Sequence, residues 1–303
     1  MSSPRRSRTI AVWISALRPK TLGASLCPVM MGGALAWHDG VFALLPVLAA
    51  LIGAWLLQIA SNFANDLFDG VRGTDSVARL GPQRAVASGA IAPRTMKFAL
   101  LLTLVFAAIP AVFLTMHGGL AFAAIAVLGA VCAVGYTGGP MPLAYVGLGD
   151  IFVFAFFGPL AVAGTRAACD GSWTSLAWWC GVAPGAIAVA LLATNNLRDR
   201  VGDALNNKRT LAVRFGSRFT RAQIVICHLC AIVVPVIAVV VGKLSQGALA
   251  ASLLALLMIP ISISIMGGRD GVLLNRTLAG FGAMLYLYGV AFAIGVRMSG
   301  VFA

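Results

Sequence analysis

Apolar residues in this chain come in long uninterrupted runs, not at the every-third-or-fourth spacing of a surface helix or the alternation of a half-buried strand. Runs near the 20 residues needed to cross a bilayer lie at 21–37, 42–64, 96–116, 119–137, 147–165, 174–196, 221–242, 247–266 and 277–297. The pattern predicts nine transmembrane helices. Pro110, Pro159, Pro184, Pro235 and Pro260 fall inside them, which bundle helices tolerate because neighbours satisfy the freed carbonyls. A shorter run, Ile10 to Leu17, cannot span. It reads as an interfacial lead-in, so that residues 1–20 form a basic cytoplasmic segment and 21–303 a single transmembrane domain.

Composition agrees with a bilayer protein. The chain is 60% hydrophobic and 10% charged, against roughly one quarter charged in soluble domains. The net charge of +13 would suggest nucleic acid in a soluble protein, but the cations are sided. Arg5, Arg6, Arg8, Arg18 and Lys20 precede the first span; Arg72, Arg79, Arg84, Arg94 and Lys97 follow the second. Arg198, Arg200, Lys208, Arg209, Arg214, Arg218 and Arg221 follow the sixth, and Arg269 and Arg276 the eighth. These are 19 of the 22 cations, leaving Arg166, Lys243 and Arg297 on the other side. The asymmetry places the N-terminus in the cytoplasm, the C-terminus opposite, and argues against a nucleic-acid partner. Five of the six cysteines lie in or at the ends of apolar runs as small hydrophobes. Cys227 and Cys230 around His228 form half a metal motif without its second half; Cys169 and Cys180 fall on the same outer side, where they could meet, but their spacing alone does not establish a disulfide.

An internal repeat points to the chemistry. Asn65-Asp66-Leu67-Phe68-Asp69 matches Asn195-Asn196-Leu197-Arg198-Asp199, 130 residues on. Each follows an even-numbered span at its cytoplasmic end, so two parallel repeats are expected. Residues three or four apart share a helix face. Asn62, Asp66 and Asp69, with Asn65, therefore line one helix, and Asn195, Asp199 and Asp203 the other; Asp75 follows Gly70 and Gly73. All nine acidic residues are aspartates, and these five are Asp66, Asp69, Asp75, Asp199 and Asp203. Carboxylates paired across two helices suit magnesium, which takes oxygen ligands and shares them with substrate phosphates, while nearby Arg and Lys neutralise the rest. The opening Asp66, Asp69, Gly70 also fits the start of the CDP-alcohol phosphotransferase signature, but Gly73 and Thr74 stand where Ala and Arg are required. An ion-coupled carrier shares the acids and the repeat but should place its charges at mid-bilayer.

The pattern resembles the UbiA superfamily of intramembrane prenyltransferases, and within it the menaquinone branch that acts on dihydroxynaphthoate. Arg18-Pro19-Lys20-Thr21-Leu22, the Asn65 to Asp75 motif, the Gly81 to Gly89 loop, Tyr136-Thr137-Gly138-Gly139 leading to Gly147-Leu148-Gly149-Asp150, and Asn195 to Asp203 with Lys208 to Val213 are each similar to branch segments. Many superfamily members set a basic residue soon after the tyrosine, where this chain has Pro140-Met141-Pro142-Leu143.

The resemblance implies an all-α integral membrane protein of the bacterial inner membrane: nine helices around a central cavity, built from two parallel repeats, with cytoplasmic cap loops. It implies Mg2+ held by Asp66, Asp69, Asp75, Asp199 and Asp203, with Asn65, Asn195 and Asn196 assisting. Lys20, Arg72, Arg84, Lys208 and Arg209 would bind the diphosphate of a polyprenyl diphosphate, and Tyr136 would lie near an aromatic acceptor. Transfer of the prenyl group to 1,4-dihydroxy-2-naphthoate with loss of carbon dioxide is the expected reaction, with 4-hydroxybenzoate or another phenol as the alternative acceptor. Phe152, Phe154, Phe156 and Phe157 are candidate walls for the isoprenoid tail.

Overall fold

The computed structural model describes residues 4–73 and 84–298, without the side chains of residues 4–9 and of Lys20. Asp75 and Gly81 to Gln83 lie outside the described residues. Within them the chain is helical, and the described residues contain no strand.

The elements follow the predicted runs closely. Helix α1 covers Pro4–Leu17, α2 Pro19–His38, α3 Leu44–Arg72, α4 Pro93–Gly118 and α5 Leu120–Gly135. The fifth predicted span is broken into α6 (Gly149–Phe156) and α7 (Pro159–Ala167). Then come α8 (Ser175–Leu205), α9 (Leu211–Val240), α10 (Leu249–Leu256), α11 (Ile259–Met266) and α12 (Leu274–Met298). Among the described residues, seven segments are long and apolar enough to cross a membrane: α3, α4, α6 with α7, α8, α9, α10 with α11, and α12. The two other predicted spans are α2, of 20 residues, and α5, apolar but of 16 residues. Elements recur in the same order 130 residues apart: α2 with α6–α7, α3 with α8, α5 with α10–α11.

Local chemistry sets the ends. Pro19, Pro93 and Pro159 open helices, where a missing N–H costs nothing. Thr174 and Thr210 cap α8 and α9 by accepting from Ala177 N and Val213 N. Gly73 ends α3 at φ 73°, its N–H returning to the Asp69 and Gly70 carbonyls. The α6–α7 break occurs where backbones touch: a Cβ on Gly158 would lie 2.6 Å from the Gly181 carbonyl oxygen and 2.7 Å from Gly185 Cα. Small residues at this crossing bring the broken span against α8.

Two packed regions flank the space between them. The larger centres on Met31, Leu35, Ile187, Phe281, Tyr288 and Phe292, joining α2, α8 and α12. The smaller holds Ala16, Phe63, Leu67, Val86 and Met96, joining α1, α3, α4 and the segment after residue 84. Outward positions such as Phe98, Val105, Ile109, Leu128 and Val131 remain exposed apolar side chains, as expected of surfaces whose solvent is lipid.

Candidate active site

A cavity of about 2900 Å³ opens between α2, α3, α4, α5, α6–α7, α8 and α12. Ordinary small-molecule pockets hold about 300–1,000 Å³, so this one suits a long ligand. One end is polar and the rest is walled by Ala, Leu, Val and Phe. Both motif helices deliver their acids to the polar end: Asn65, Asp66, Asp69, Asn195, Asn196, Asp199 and Asp203 all line the cavity.

Each acid has a distinct set of partners. Asp66 is buried at 2% exposure and accepts from Ala85 N (3.1 Å) and Val86 N (2.8 Å), fastening the segment after Arg84 to α3. Asp69 Oδ1 accepts from the Tyr145 hydroxyl at 2.9 Å. Asn65 Oδ1 accepts from Thr137 Oγ1 at 2.8 Å. On the second helix, Arg198 grips Asp199 through Nε (2.7 Å) and an Nη (2.6 Å), and also donates to Asn195 Oδ1 (2.8 Å) and Asn275 Oδ1 (2.9 Å). Lys208 Nζ stands 3.6 Å from Asp203 Oδ1. Asn62 lines the same cavity and donates to the Leu17 carbonyl and Thr21 Oγ1.

The expected cations divide. Arg84 and Lys208 line the cavity. Arg72 does not; its guanidinium donates to the Thr137 and Gly139 carbonyls and lies 5.2 Å from the Tyr145 ring centroid, bracing the turn after α5. Arg209 is exposed and away from the cavity, its backbone N–H bonded to the Tyr145 carbonyl. The Lys20 side chain is not described. Tyr136 lines the cavity with its hydroxyl against Gly149, in the electrostatic reach of Asp150, Asp203 and Asp69. Phe152, Phe156 and Phe157 line the apolar part, whereas Phe154 does not and packs toward Gly185 of α8.

Sequence reasoning passed over four residues here. Arg198 counted only as a loop cation, yet it is buried inside the second motif. Arg18 lines the cavity from the left-handed position (φ 52°) that starts α2. Tyr145 bonds Asp69, and Asp150 lines the cavity, buried at 7% exposure. Asp150 had a legible signal, a carboxylate opening an apolar span.

Other candidates resolve into packing. His228 is buried, with Nδ1 2.6 Å from Ser262 Oγ and Nε2 2.8 Å from the Ala255 carbonyl, so it is a satisfied helix position. Cys169 and Cys180 are both free thiols, and Cys169 points to the Ala43 and Thr165 carbonyls.

Magnesium commonly takes one or two carboxylates together with substrate phosphates. Asp69, Asp199 and Asp203 offer oxygens from two helices, and among the described residues no three acidic, histidine or cysteine side chains form a closed metal cage. That donor set fits a cation shared with a phosphate-bearing ligand.

A profile of the UbiA prenyltransferase family matches residues 25–288. The chain belongs to this family. Among curated relatives of this UbiA-family protein, the 1,4-dihydroxy-2-naphthoate octaprenyltransferase of Mycobacterium tuberculosis is 42% identical over 220 residues, 70% of this chain and 73% of the relative. The protein of that name from Escherichia coli is 40% identical over 222 residues, 71% and 72% of the two chains. That from Mycobacterium leprae is 35% identical over 300 residues, 96% and 98% of the two. Of solved structures, an apo UbiA homolog from Aeropyrum pernix superposes with a TM-score of 0.71 at 17% identity, covering 93% of this chain and 99% of that one. A UbiA homolog from Archaeoglobus fulgidus bound to DMAPP and Mg2+ gives 0.65 at 13% identity, covering 94% and 99%. These two likenesses establish the fold of the UbiA-family chain.

Proposed function

We propose that this protein transfers a polyprenyl group from an allylic polyprenyl diphosphate to 1,4-dihydroxy-2-naphthoate, with loss of carbon dioxide, in menaquinone biosynthesis. The observation that supports it most is the convergence of both aspartate motifs on the polar end of a cavity whose remainder is apolar. The names of the 35–42% identical relatives support the acceptor.

In this reading Asp66, Asp69, Asp75, Asp199 and Asp203 hold Mg2+, assisted by Asn65, Asn195 and Asn196. When bound, Mg2+ offsets the charge of the diphosphate and makes it a better leaving group. Asp66 serves two ends, because an ionised carboxylate has about four acceptor sites and the backbone N–H groups of Ala85 and Val86 take two. Arg84 and Lys208 face the departing diphosphate, with Arg18 beside them; Arg72 and Arg209 act on the surrounding loops. The tail lies along Phe152, Phe156 and Phe157, and Tyr136 borders the acceptor.

The architecture is nine spans, counting α2 and α5, in two parallel repeats followed by α12. The shared 130-residue element spacing supports this. The cation distribution supports a cytoplasmic N-terminus and a cytoplasmic active site in the inner membrane. Purified protein given a polyprenyl diphosphate, a panel of aromatic acceptors and either Mg2+ or EDTA tests the proposal. Prenylated, decarboxylated naphthoate formed only with Mg2+ is the expected product. Use of 4-hydroxybenzoate with dihydroxynaphthoate ignored overturns the acceptor, and full activity of Asp69→Asn or Asp199→Asn overturns the diphosphate site.

A further inference from the structure

Asp150 stands apart from the other acids of the cavity. Asp66 is held by backbone N–H groups, Asp69 by the Tyr145 hydroxyl, Asp199 by Arg198 and Asp203 by Lys208. Asp150 lies outside both motifs; it accepts from Gln223 Nε2 of α9 through Oδ1 at 2.8 Å, and among the described residues no cation forms an ion pair with it. It nonetheless lines the cavity.

Its position is the junction of the two environments. Asp150 opens α6, the helix that continues along the apolar wall as Phe152, Val153 and Phe156. Next to it, the Tyr136 hydroxyl lies 2.9 Å from where a Cβ on Gly149 would sit, and its phenol feels Asp150, Asp203 and Asp69 together. A prenyl diphosphate with its head at the motifs and its tail among the phenylalanines has its reacting carbon between those regions. An attacking ring must reach that same place.

Resting on the prenyl-transfer reading above, we propose that Asp150 accepts the hydrogen bond of the acceptor's ring hydroxyl and takes its proton as the ring attacks, with Gln223 as a positioning residue for the carboxylate. The allylic C–O bond breaks and its electron pair leaves on the diphosphate. A ring electron pair forms the C–C bond at the carboxyl-bearing carbon, the neighbouring hydroxyl becomes a carbonyl, and its proton passes to Asp150. Loss of carbon dioxide returns a bonding pair to the ring, and the resulting oxyanion recovers the proton from Asp150. No proton is consumed and no oxidant is needed. A carboxylate with a neutral partner and no part in holding the metal suits this exchange, whereas Asp199 and Asp203 are paired with cations and Asp66 and Asp69 are, in the reading above, committed to Mg2+.

The test separates this step from diphosphate binding. Asp150→Asn is compared with wild type for binding of a geranylgeranyl S-thiolodiphosphate with Mg2+, and for transfer to dihydroxynaphthoate and to its methyl ether at the hydroxyl beside the carboxyl group. Analogue affinity stays within about threefold, while kcat for transfer falls roughly 100-fold or more, the range of a lost general base. Wild type is slowed comparably by the methyl ether, and the variant shows no further loss with it. Asp150→Glu keeps a proton acceptor and recovers part of the rate; Gln223→Leu lowers kcat without changing donor KM. Transfer by Asp150→Asn at the wild-type rate overturns the proposal, as does a parallel loss of analogue binding in a variant that melts like wild type. If Asp150→Asn does not fold, Asp150→Glu and Gln223→Leu decide, and normal rates in Gln223→Leu with no activity in Asp150→Glu overturn it. A wild-type protein that binds the analogue but prenylates no hydroxylated acceptor overturns the transfer reading itself, and the role of Asp150 with it.

Discussion

The Tyr145 hydroxyl donates to Asp69 Oδ1 at 2.9 Å, tying the turn after α5 to the first aspartate motif. The same ring lies 5.2 Å from the Arg72 guanidinium and 5.8 Å from Lys208 Nζ, and the Tyr145 carbonyl accepts from Arg209 N. One residue thus links the first motif to the second motif's basic tail.

Tyr145→Phe keeps the ring and removes the hydroxyl that donates to Asp69. Hydrogen bonds to charged groups are worth about 1.5–3 kcal/mol, so kcat/KM is expected to fall about 10- to 100-fold, each 1.4 kcal/mol being tenfold. Because the lost bond orients a proposed metal carboxylate, the Mg2+ concentration for half-maximal rate rises as well. A Mg2+ titration of wild type and variant checks this; an unchanged metal requirement shows that Asp69 does not depend on Tyr145.

Arg198 is 7% exposed and makes four bonds, to Asp199 twice, Asn195 and Asn275. Removing one partner of a buried pair typically costs about 3–5 kcal/mol because the other charge is stranded. Arg198→Met therefore lowers the melting temperature in detergent, and adding Asp199→Asn to it restores part of the loss. A double variant no more stable than Arg198→Met shows that the destabilisation does not come from the stranded carboxylate.

The helices were legible because a bilayer demands long apolar runs, and every predicted run has its helix. The motif faces were legible because Asn65, Asp69, Asn195 and Asp199 obey helical spacing. What spacing alone leaves open is which way a polar group turns at a helix end. Asn62 shares the cavity face with Asp66 as periodicity predicts, but its amide is bonded to the Leu17 carbonyl at the α1–α2 junction, a partner spacing does not name. Arg72 and Arg209 stand next to the motifs in the chain, but loop carbonyls and solvent take them elsewhere. Tyr145 and Gln223 are far in sequence from the acids they bond, so only tertiary contact identifies them.

Gly158 sits where the α6–α7 break meets α8, with no room for a Cβ beside Gly181 and Gly185. Gly158→Ala must push the broken span outward, at the roughly 1–3 kcal/mol typical of overpacking. Since α6 bears Asp150 and Phe152, the shift also widens the cavity wall. Thermal unfolding shows a lower melting temperature and transfer assays a higher KM for the prenyl donor; wild-type values in both show that the helices adjust locally without strain.

At the other end of the bundle, Arg166 bridges Asp39 Oδ2 (2.6 Å) and Asp170 Oδ1 (2.5 Å), joining the end of α2 to the α7–α8 connection. Burial pushes the Asp170 carboxyl up, but hydrogen bonds from Arg166 and the Ser172 N–H, with the charge of Arg166, outweigh it and hold the group below the usual carboxylate range. A folded value below the unfolded one, about 3.9, means that the unfolded chain binds the proton first. The stabilisation is then fully present above about pH 4 and is lost as pH falls through the native value. Melting temperature in detergent should be flat in this respect from pH 7 to about pH 5 and fall below pH 4. Asp170→Asn should start lower at pH 7 and fall less steeply on acidification. Parallel acid limbs for the two proteins would mean that the Arg166–Asp170 contact contributes nothing to stability.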